Sequence, residues 1–180
     1  MGIVVAAPVI LVAWCIAALE TRSNGFFFQK RIGKDGRPFT VIKIKTMDPS
    51  RKGGSTVTTK EDPRITRSGR WFRRWKIDEL PQLINVLRGE MSFVGPRPDV
   101  PGFADRLEGE DRVILSLRPG ITGPATLKYR NEEELLASQR DPERYNREVI
   151  WPDKVRINRE YLEAWSLKKD LWYLWKTIRG

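Results

Sequence analysis

The run Gly2–Leu19, GIVVAAPVILVAWCIAAL, contains no charged residue and is followed at once by Glu20. A helix of about 20 apolar residues can cross a lipid bilayer, so this run lies at the lower limit of that length. It lacks the basic residues that precede the apolar core of a signal peptide. Three interpretations remain: a plain transmembrane helix, a helix that enters one leaflet and returns, and a buried helix of a water-soluble core.

Pro8 lies inside this run and favours the re-entrant interpretation. Proline lacks a backbone donor and bends a helix that contains it, so we predict a break of the helix near Pro8. Trp14, Glu20 and Arg22 would then lie near the lipid headgroups, where tryptophan and charged residues are favoured. The sequence begins inside the apolar run, and we expect part of the membrane segment to precede Met1.

The residue types exclude several classes of site. The 180 residues include no histidine and one cysteine, Cys15. Serine-histidine-aspartate triads, histidine general bases, histidine metal sites, cysteine zinc sites and an internal disulfide framework are therefore excluded. Any catalysis must use carboxylates, lysine, arginine, hydroxyls or a hard metal ion bound through oxygen ligands.

The net charge of +10 is concentrated in one part of the chain. Residues 21–80 hold 16 of the 33 lysines and arginines but only 6 of the 23 acidic residues. A localised positive field of this kind attracts phosphates, whether in nucleic acid, anionic lipid or a nucleotide. The alternative is a solvated basic surface.

The segment Phe26–Met47 is predicted to form a β-hairpin. Asp35-Gly36 is a favoured turn dipeptide, and strand-forming residues flank it on both sides. Alternation along the second strand places Lys43 and Lys45 on the same face. Two lysines that project together could bind phosphates, or they could simply be solvated on a half-exposed strand.

Basic and aromatic residues alternate along Asp62–Ile77, after a polar stretch, Asp48–Asp62, that is predicted to be a loop. Trp71 and Trp75 are four residues apart and so share one face of a helix. A basic aromatic helix of this kind lies on an anionic membrane surface. Nucleic-acid binding through stacking is one alternative, and a core helix with a charged outer face is another. The basic residues are Arg64, Arg67, Arg70, Arg73, Arg74 and Lys76.

Asp78 and Glu79 form an acidic pair directly after this basic segment. An apolar stripe follows at helical spacing, so we predict a short helix that Gly89 brings to an end. Aspartate is a preferred N-cap, and Asp78 stands where the cap of that helix belongs. A cap is therefore one interpretation of Asp78. The stripe consists of Leu80, Leu83, Ile84 and Leu87.

A reaction centre is the other interpretation of the acidic pair. A helix N-terminus and neighbouring cations keep a carboxylate ionised, and an ionised carboxylate is a nucleophile toward phosphorus. Glu79 is a candidate ligand for Mg²⁺, which takes hard oxygen ligands and bridges phosphates. Arg97 follows a predicted short strand and is held between Pro96 and Pro98, so it would present a fixed guanidinium to a phosphate.

Four motifs occur in order along the chain: RIGKDGRPFTVIKIKTM, DPRITRSGRWFRR, IDELPQLINVLRGEMSFVGPRP and LRPGITGPA. In sequence and spacing they resemble the motifs of the bacterial sugar transferases, the monotopic polyprenyl-phosphate phosphoglycosyl transferases. The resemblance covers roughly residues 5–180. It implies a re-entrant membrane helix around Ala7-Pro8, although a serine commonly precedes that proline in the family and Ala7 departs from the pattern.

The resemblance also implies a ping-pong reaction. By this resemblance, Asp78 attacks the β-phosphate of a UDP-sugar, UMP leaves, and a sugar-phosphoryl aspartate remains. Undecaprenyl phosphate then takes the sugar phosphate from the aspartate. The family's Mg²⁺ cofactor would bind at Glu79. The predicted phosphate-binding side chains are Arg73, Arg97, Lys45, Lys43 and Arg31.

The expected fold class is α+β. A re-entrant helix over residues 1–20 precedes a cytosol-facing catalytic domain over residues 21–180, with a small β-hairpin and several short helices lying on one leaflet. The expected location is the cytoplasmic face of the bacterial inner membrane. The predicted membrane contacts are Pro8, Trp14, Trp71 and Trp75. The C-terminal segment Tyr161–Gly180 is either a further interfacial helix or a core helix that covers the sheet.

The implied partners are a UDP-sugar, undecaprenyl phosphate and the downstream glycosyltransferases of polysaccharide, O-antigen or glycoprotein assembly, with no nucleic acid. Two other functions fit parts of the sequence. A basic module that binds anionic lipid or nucleic acid without catalysis would account for the charge. A metal-dependent phosphohydrolase would use the same carboxylates but release its product into water.

Overall fold

The computed structural model describes residues 2–51 and 62–179 and has the predicted α+β class. Helix α1 (Gly2–Thr21) is followed by strands β1 (Phe26–Ile32) and β2 (Pro38–Ile44) and by helices α2 (Arg67–Arg74) and α3 (Gln82–Leu87). Strands β3 (Ser92–Val94) and β4 (Gly120–Thr122) come next. The last helices are α4 (Pro124–Lys128), α5 (Glu132–Ala137), α6 (Pro142–Tyr145), α7 (Trp151–Glu163) and α8 (Leu167–Arg179).

Short helical turns connect several of these elements. They are Lys34–Gly36, Ile77–Glu79, Ala104–Arg106 and Gly109–Ser116, all of the 3₁₀ type, and the π-helical turn Asn146–Ile150, which leads into α7. Of the predicted loop Asp48–Asp62, residues 52–61 lie outside the described part of the chain. The chain forms two compact units, one of residues 1–29 and 40–88 and one of residues 30–39 and 89–180.

Helix α1 is continuous through Pro8. The helix is not broken there because Ala6 and Ile10, on either side of the proline, both pack against the core of the first unit. The predicted break near Pro8 is therefore absent from the described helix, and the re-entrant topology stays a prediction. Among the described helices, α1 alone is long and apolar enough to cross a membrane.

One face of α1 packs on the protein and the rest is exposed. The buried residues of the helix are Ile10, Ala13, Ala17 and Thr21. Large apolar side chains cover the remaining faces, so the interpretation of α1 as a buried core helix is wrong. The exposed residues are Val4, Val5, Val9, Leu11, Val12, Ile16 and Leu19.

The hairpin is confirmed. Its turn contains Asp35 at φ 58° and Gly36 at φ 76°, the left-handed conformation that these residue types tolerate best. Asn85 of α3 is fully buried and ties that helix to β2 within the first unit. Its Nδ2 donates to Thr40 O at 2.7 Å, and its Oδ1 accepts from Ile42 N at 3.2 Å. The acidic pair between α2 and α3 is thereby held close to the end of β2.

Helix α2 is fixed at its N-terminus by two side chains. Thr66 is the N-cap and accepts a hydrogen bond from Gly69 N at 3.0 Å. The Glu20 carboxylate, at the end of α1, accepts from Arg67 N at 2.9 Å and from Ser68 N at 3.2 Å. A carboxylate at this end of a helix is favoured by the helix dipole. The predicted basic aromatic helix is confirmed. The Glu20 carboxylate joins the end of α1 to the start of α2.

The second unit contains a parallel pair of strands, β3 and β4, in which Ser92 lies opposite Gly120. A Cβ atom at Gly120 would lie 2.2 Å from Gly95 N, so only glycine allows this close backbone approach. Helix α8 packs near these strands through a hydrogen bond of 2.6 Å between the hydroxyls of Thr122 and Thr177. This pairing brings the Pro-Arg-Pro segment after β3 beside the Pro-Gly turn before β4.

The C-terminal helix α8 covers a sheet, as one of its two predictions had it, and its place at a membrane interface stays a prediction. It contacts β3, β4 and α4, as a helix covering a sheet would do. None of its side chains is fully buried, and one face carries exposed apolar and aromatic residues flanked by basic ones. The exposed apolar residues are Leu167, Leu171, Trp172, Trp175 and Ile178.

Candidate active site

Asp78 and Glu79 lie in the 3₁₀ turn Ile77–Glu79, between α2 and α3. Lys76, directly before the turn, has the left-handed backbone conformation with φ 56° and ψ 21°. This conformation is uncommon for a non-glycine residue, and it turns the chain sharply at the end of α2. Asp78 and Glu79 are each only 8% exposed. Two adjacent carboxylates are thus buried at one corner of the first unit.

Asp78 is not a helix cap, so the cap interpretation is wrong. Helix α3 begins at Gln82 and has Pro81 as its N-cap, without a side-chain hydrogen bond. The extra 3₁₀ turn and Pro81 delay the start of α3, which leaves Asp78 four residues before its first residue. Gly89, with φ 73°, follows α3 as predicted.

The Oδ1 atom of Asp78 is buried and has no hydrogen-bond partner among the described residues. Leaving a buried acceptor unsatisfied costs about 1–3 kcal/mol, and more when the group is charged. Native proteins keep such groups rarely, and chiefly where a ligand or a reaction uses them. The buried, unpartnered oxygen makes Asp78 the candidate functional residue of this turn.

The surroundings of Asp78 raise its pKa. Burial is the main cause, the neighbouring Glu79 carboxylate adds to it, and together they raise the pKa of Asp78 to about 6. The positive charges of Lys43, Lys76 and Arg73 act in the opposite direction. Asp78 is thus ionised at neutral pH, within a group of cations that can also attract phosphate.

Lys43 and Glu79 form the ion pair of the site. Lys43 Nζ lies 3.3 Å from Glu79 Oε1, and both side chains are largely buried. Lys45 lies directly after the last residue of β2, so its predicted face is not set by the strand, and its Nζ donates to Ser23 Oγ at 2.8 Å near the end of α1. The structure therefore brings Lys43 to the acidic pair and directs Lys45 elsewhere.

Arg73 lies on α2, and its guanidinium is oriented by residues at the end of β2. Its Nε donates to Thr46 Oγ1 at 3.1 Å, and its Nη2 lies 3.4 Å from Met47 Sδ. Its charge lowers the pKa of Asp78, which places it in the electrostatic surroundings of that carboxylate. Among the predicted phosphate-binding residues, Lys43 and Arg73 are the two whose charges act on Asp78 within the first unit.

Arg31 and Arg97 lie in the second unit. Arg31 Nη1 donates to Pro98 O at 3.1 Å, and this contact supports the Pro-Arg-Pro segment as the stiff turn expected from its sequence. Arg97 lines a small cavity together with Asp99 and Asn158. The positive charges of both arginines act on Asp99, which directly follows the Pro-Arg-Pro segment.

The two tryptophans predicted to contact the membrane at α2 are exposed. Trp71 is 55% and Trp75 is 63% exposed, whereas Phe72 between them is buried. Trp14 behaves differently, because it packs on Phe26 and donates to Asn24 Oδ1 at 3.1 Å. Trp14 thus joins α1 to the start of β1.

A family model described as bacterial sugar transferase matches residues 1–180. The chain belongs to the bacterial sugar transferase family. Three bacterial relatives support this assignment, and the chain aligns with only part of each of them.

An undecaprenyl-phosphate glucose phosphotransferase of Komagataeibacter xylinus is 38% identical over 96% of this chain and 32% of its own length. A UDP-glucose:undecaprenyl-phosphate glucose-1-phosphate transferase of Caulobacter vibrioides is 34% identical over 96% of the chain and 62% of its own length. A UDP-galactose-lipid carrier transferase of Erwinia amylovora is 34% identical over 89% of the chain and 34% of its own length. The chain therefore spans less than two thirds of each of these relatives.

The acidic pair of this sugar transferase fits a Mg²⁺ ion that is bound partly by the protein and partly by substrate phosphates. Within the described ranges there is no cluster of three or more acidic, cysteine or histidine residues that could enclose a metal ion. Mg²⁺ is commonly held by one or two carboxylates together with substrate phosphates, so a closed protein site is not required. The Glu79 carboxylate is an oxygen donor of the right type, and it adjoins the unpartnered Oδ1 of Asp78.

Two features of the surroundings of Asp78 were missed by the sequence interpretation. The positive charge of Lys76 acts on the pKa of Asp78, although Lys76 was counted only as part of a basic helix. Thr46 accepts a hydrogen bond from Arg73, and nothing in its position distinguishes it from other threonines of the segment.

We expect Asp78→Asn to stabilise the protein above pH 6. The pKa of Asp78 is higher in the folded protein than its ordinary value of 3.8, so folding binds protons between about pH 4 and 6. Stability is therefore lost as the pH rises through this window. Asparagine cannot ionise and removes this loss. Thermal unfolding of both proteins from pH 4 to 8 measures the effect, and a difference in Tm that does not grow with pH would contradict it.

Proposed function

We propose that this bacterial sugar transferase moves a sugar 1-phosphate from a UDP-sugar to undecaprenyl phosphate, giving an undecaprenyl diphosphosugar and UMP. The observation that carries the proposal is the buried, unpartnered Oδ1 of Asp78 beside Glu79, Lys43 and Arg73. This is the arrangement that a carboxylate nucleophile toward a phosphate requires, because the cations both attract the phosphate and keep the carboxylate ionised. The names and matches of its relatives support the same substrate class.

In the proposed first step, an oxygen of the Asp78 carboxylate attacks the β-phosphorus of the UDP-sugar. The bond between that phosphorus and the oxygen bridging to the α-phosphate breaks, and UMP leaves with the electron pair. A sugar-phosphoryl aspartate remains. In the second step, a phosphate oxygen of undecaprenyl phosphate attacks the same phosphorus and the Asp78 carboxylate is released. Each step is one displacement at phosphorus, and neither needs a histidine.

The charged side chains of the first unit have distinct parts in this scheme. Lys43 balances Glu79 and brings an ammonium group to the acidic pair. Arg73 presents a guanidinium suited to bidentate contact with phosphate oxygens. Glu79, with the substrate phosphates, would hold Mg²⁺, which when bound neutralises charge on the diphosphate and the departing UMP. Arg97 and Arg31 are proposed as further phosphate contacts, and Lys45 as a more distant cation.

The protein is proposed to be monotopic on the cytoplasmic face of the bacterial inner membrane, with residues 1–20 re-entering and residues 21–180 forming the catalytic domain. The exposed apolar faces of α1 support membrane association, and so do Trp71 and Trp75. The aromatic face of α8 adds a further candidate contact, because tryptophan with flanking lysine is favoured at the bilayer interface. The product would enter polysaccharide, O-antigen or glycoprotein assembly through downstream glycosyltransferases.

The function is tested by measuring UMP release with Mg²⁺ and undecaprenyl phosphate over a panel of UDP-sugars. UDP-glucose and UDP-galactose come first because the names of two relatives contain these sugars. We expect UMP and a lipid-linked diphosphosugar from at least one of them. Product released into water without need of the lipid would indicate a phosphohydrolase. Salt-sensitive nucleic-acid binding without UMP release would indicate a basic binding module.

A further inference from the structure

Thr46 follows β2 and is 7% exposed. Its backbone carbonyl accepts a hydrogen bond from Thr66 N at 3.0 Å. Helix α2 packs directly on this carbonyl, since a Cβ atom at Gly69 would lie 2.3 Å from Thr46 O. These contacts use the backbone of Thr46, so the packing of α2 on the end of β2 does not depend on the threonine hydroxyl.

The hydroxyl of Thr46 has a separate partner. Arg73 is four residues after Gly69 on α2, and the two therefore lie on the same face of the helix. Arg73 Nε donates to Thr46 Oγ1 at 3.1 Å. A guanidinium group is planar, so a hydrogen bond at Nε fixes the plane in which both Nη atoms lie.

The other end of the guanidinium meets a weaker acceptor. Arg73 Nη2 lies 3.4 Å from Met47 Sδ. A thioether sulfur is a weak acceptor, whereas a phosphate oxygen forms a short, charge-assisted bond with arginine. A phosphate can therefore replace Met47 at Nη2 while Thr46 keeps the Nε end in place.

We propose that Thr46 is a positioning residue of the phosphate site, which orients Arg73 so that its Nη atoms face the substrate phosphates. The inference deepens the proposed phosphoglycosyl transfer and rests on it. Thr46 itself touches no reacting atom in this scheme, and its effect passes through Arg73.

The first test compares Thr46→Val, which keeps the shape and removes the hydroxyl, with Thr46→Ser, which keeps the hydroxyl. Loss of a hydrogen bond to a charged group is expected to lower kcat/KM for the UDP-sugar about 10- to 100-fold in Thr46→Val. Thr46→Ser should stay within about 3-fold of the parent protein. Thr40→Val is the matched control, because Thr40 is an exposed residue of β2, the strand that Thr46 follows.

A double-mutant cycle separates positioning from general damage. In an Arg73→Ala background, Thr46→Val should cause little further loss, because its effect passes through the missing guanidinium. A full additional loss in that background would overturn the proposal. So would a Thr46→Val protein with the kinetics of the parent, or a Thr46→Ser protein that fails to recover activity.

The second test does not depend on turnover. The Nε–H signal of Arg73 in ¹⁵N-arginine-labelled protein, assigned by its loss in Arg73→Lys, reports the hydrogen bond directly. We expect its hydrogen exchange to be slow in the parent and in Thr46→Ser and several-fold faster in Thr46→Val. Equal exchange in all three proteins would overturn the role of Thr46. Slow exchange in a parent protein that releases no UMP would instead contradict the proposed function.

Discussion

Asp78→Asn is expected to abolish UMP release, with a loss on the order of 10⁴-fold or more, as is typical when a covalent nucleophile is removed. Asparagine has nearly the same shape as aspartate, so the 3₁₀ turn Ile77–Glu79 and its packing are preserved. The amide oxygen carries no charge and does not form a stable bond to phosphorus. The loss should therefore appear in the chemistry and not in folding, which the expected rise in Tm above pH 6 checks independently.

The control for this substitution is Asp35→Asn. Asp35 is an exposed residue of the hairpin turn with φ 58°, a conformation that asparagine adopts readily. This variant makes the same chemical change away from the acidic pair, and UMP release should match the parent protein. An Asp78→Asn protein that retains more than about a tenth of parental activity, against the much larger loss expected for a nucleophile, would remove Asp78 from the mechanism.

Glu79→Gln is expected to lower UMP release about 10²- to 10³-fold, the loss typical for removing one electrostatic contact at a reacting phosphate or acyl group. The substitution keeps the size of the side chain and removes its charge. It removes the proposed Mg²⁺ ligand. It also removes the carboxylate that lies 3.3 Å from Lys43 Nζ in the parent protein. The Mg²⁺ concentration needed for half-maximal activity should rise.

A titration of Mg²⁺ against the rate of UMP release measures this effect. Glu163→Gln is a suitable control because Glu163 is exposed at the end of α7. If Glu79→Gln keeps the Mg²⁺ dependence of the parent protein and loses only rate, Glu79 would act through Lys43 rather than through the metal ion. An unchanged rate would exclude both roles.

Local sequence signals predicted the elements that are stabilised locally. The hairpin follows from Asp35-Gly36, because the turn type is decided by two residues. The end of α3 follows from Gly89, because this residue acts through its own backbone conformation. The parallel pairing of β3 with β4 was not predicted, since it depends on the close approach of Gly95 and Gly120 from distant parts of the chain.

The acidic pair shows the limit of local reasoning. The sequence around Asp78 favours an N-cap, and the position is close to a helix start, yet Lys76 and Pro81 shift the start of α3 beyond it. Likewise, alternation predicted that Lys43 and Lys45 share one face, but β2 ends at Ile44. The tertiary structure shows that Lys43 pairs with Glu79 and Lys45 with Ser23. Residue type and spacing are enough to suggest the chemistry that we propose, whereas the partner of each side chain depends on contacts between distant segments.

The most direct test of the proposed mechanism is the intact mass of the protein after incubation with Mg²⁺ and a UDP-sugar that supports UMP release, in the absence of undecaprenyl phosphate. The mechanism predicts a mass increase of one sugar phosphate, located on the peptide that contains Asp78, absent in Asp78→Asn and removed when undecaprenyl phosphate is added. UMP release with no covalent adduct, or with the adduct on another residue, would contradict it.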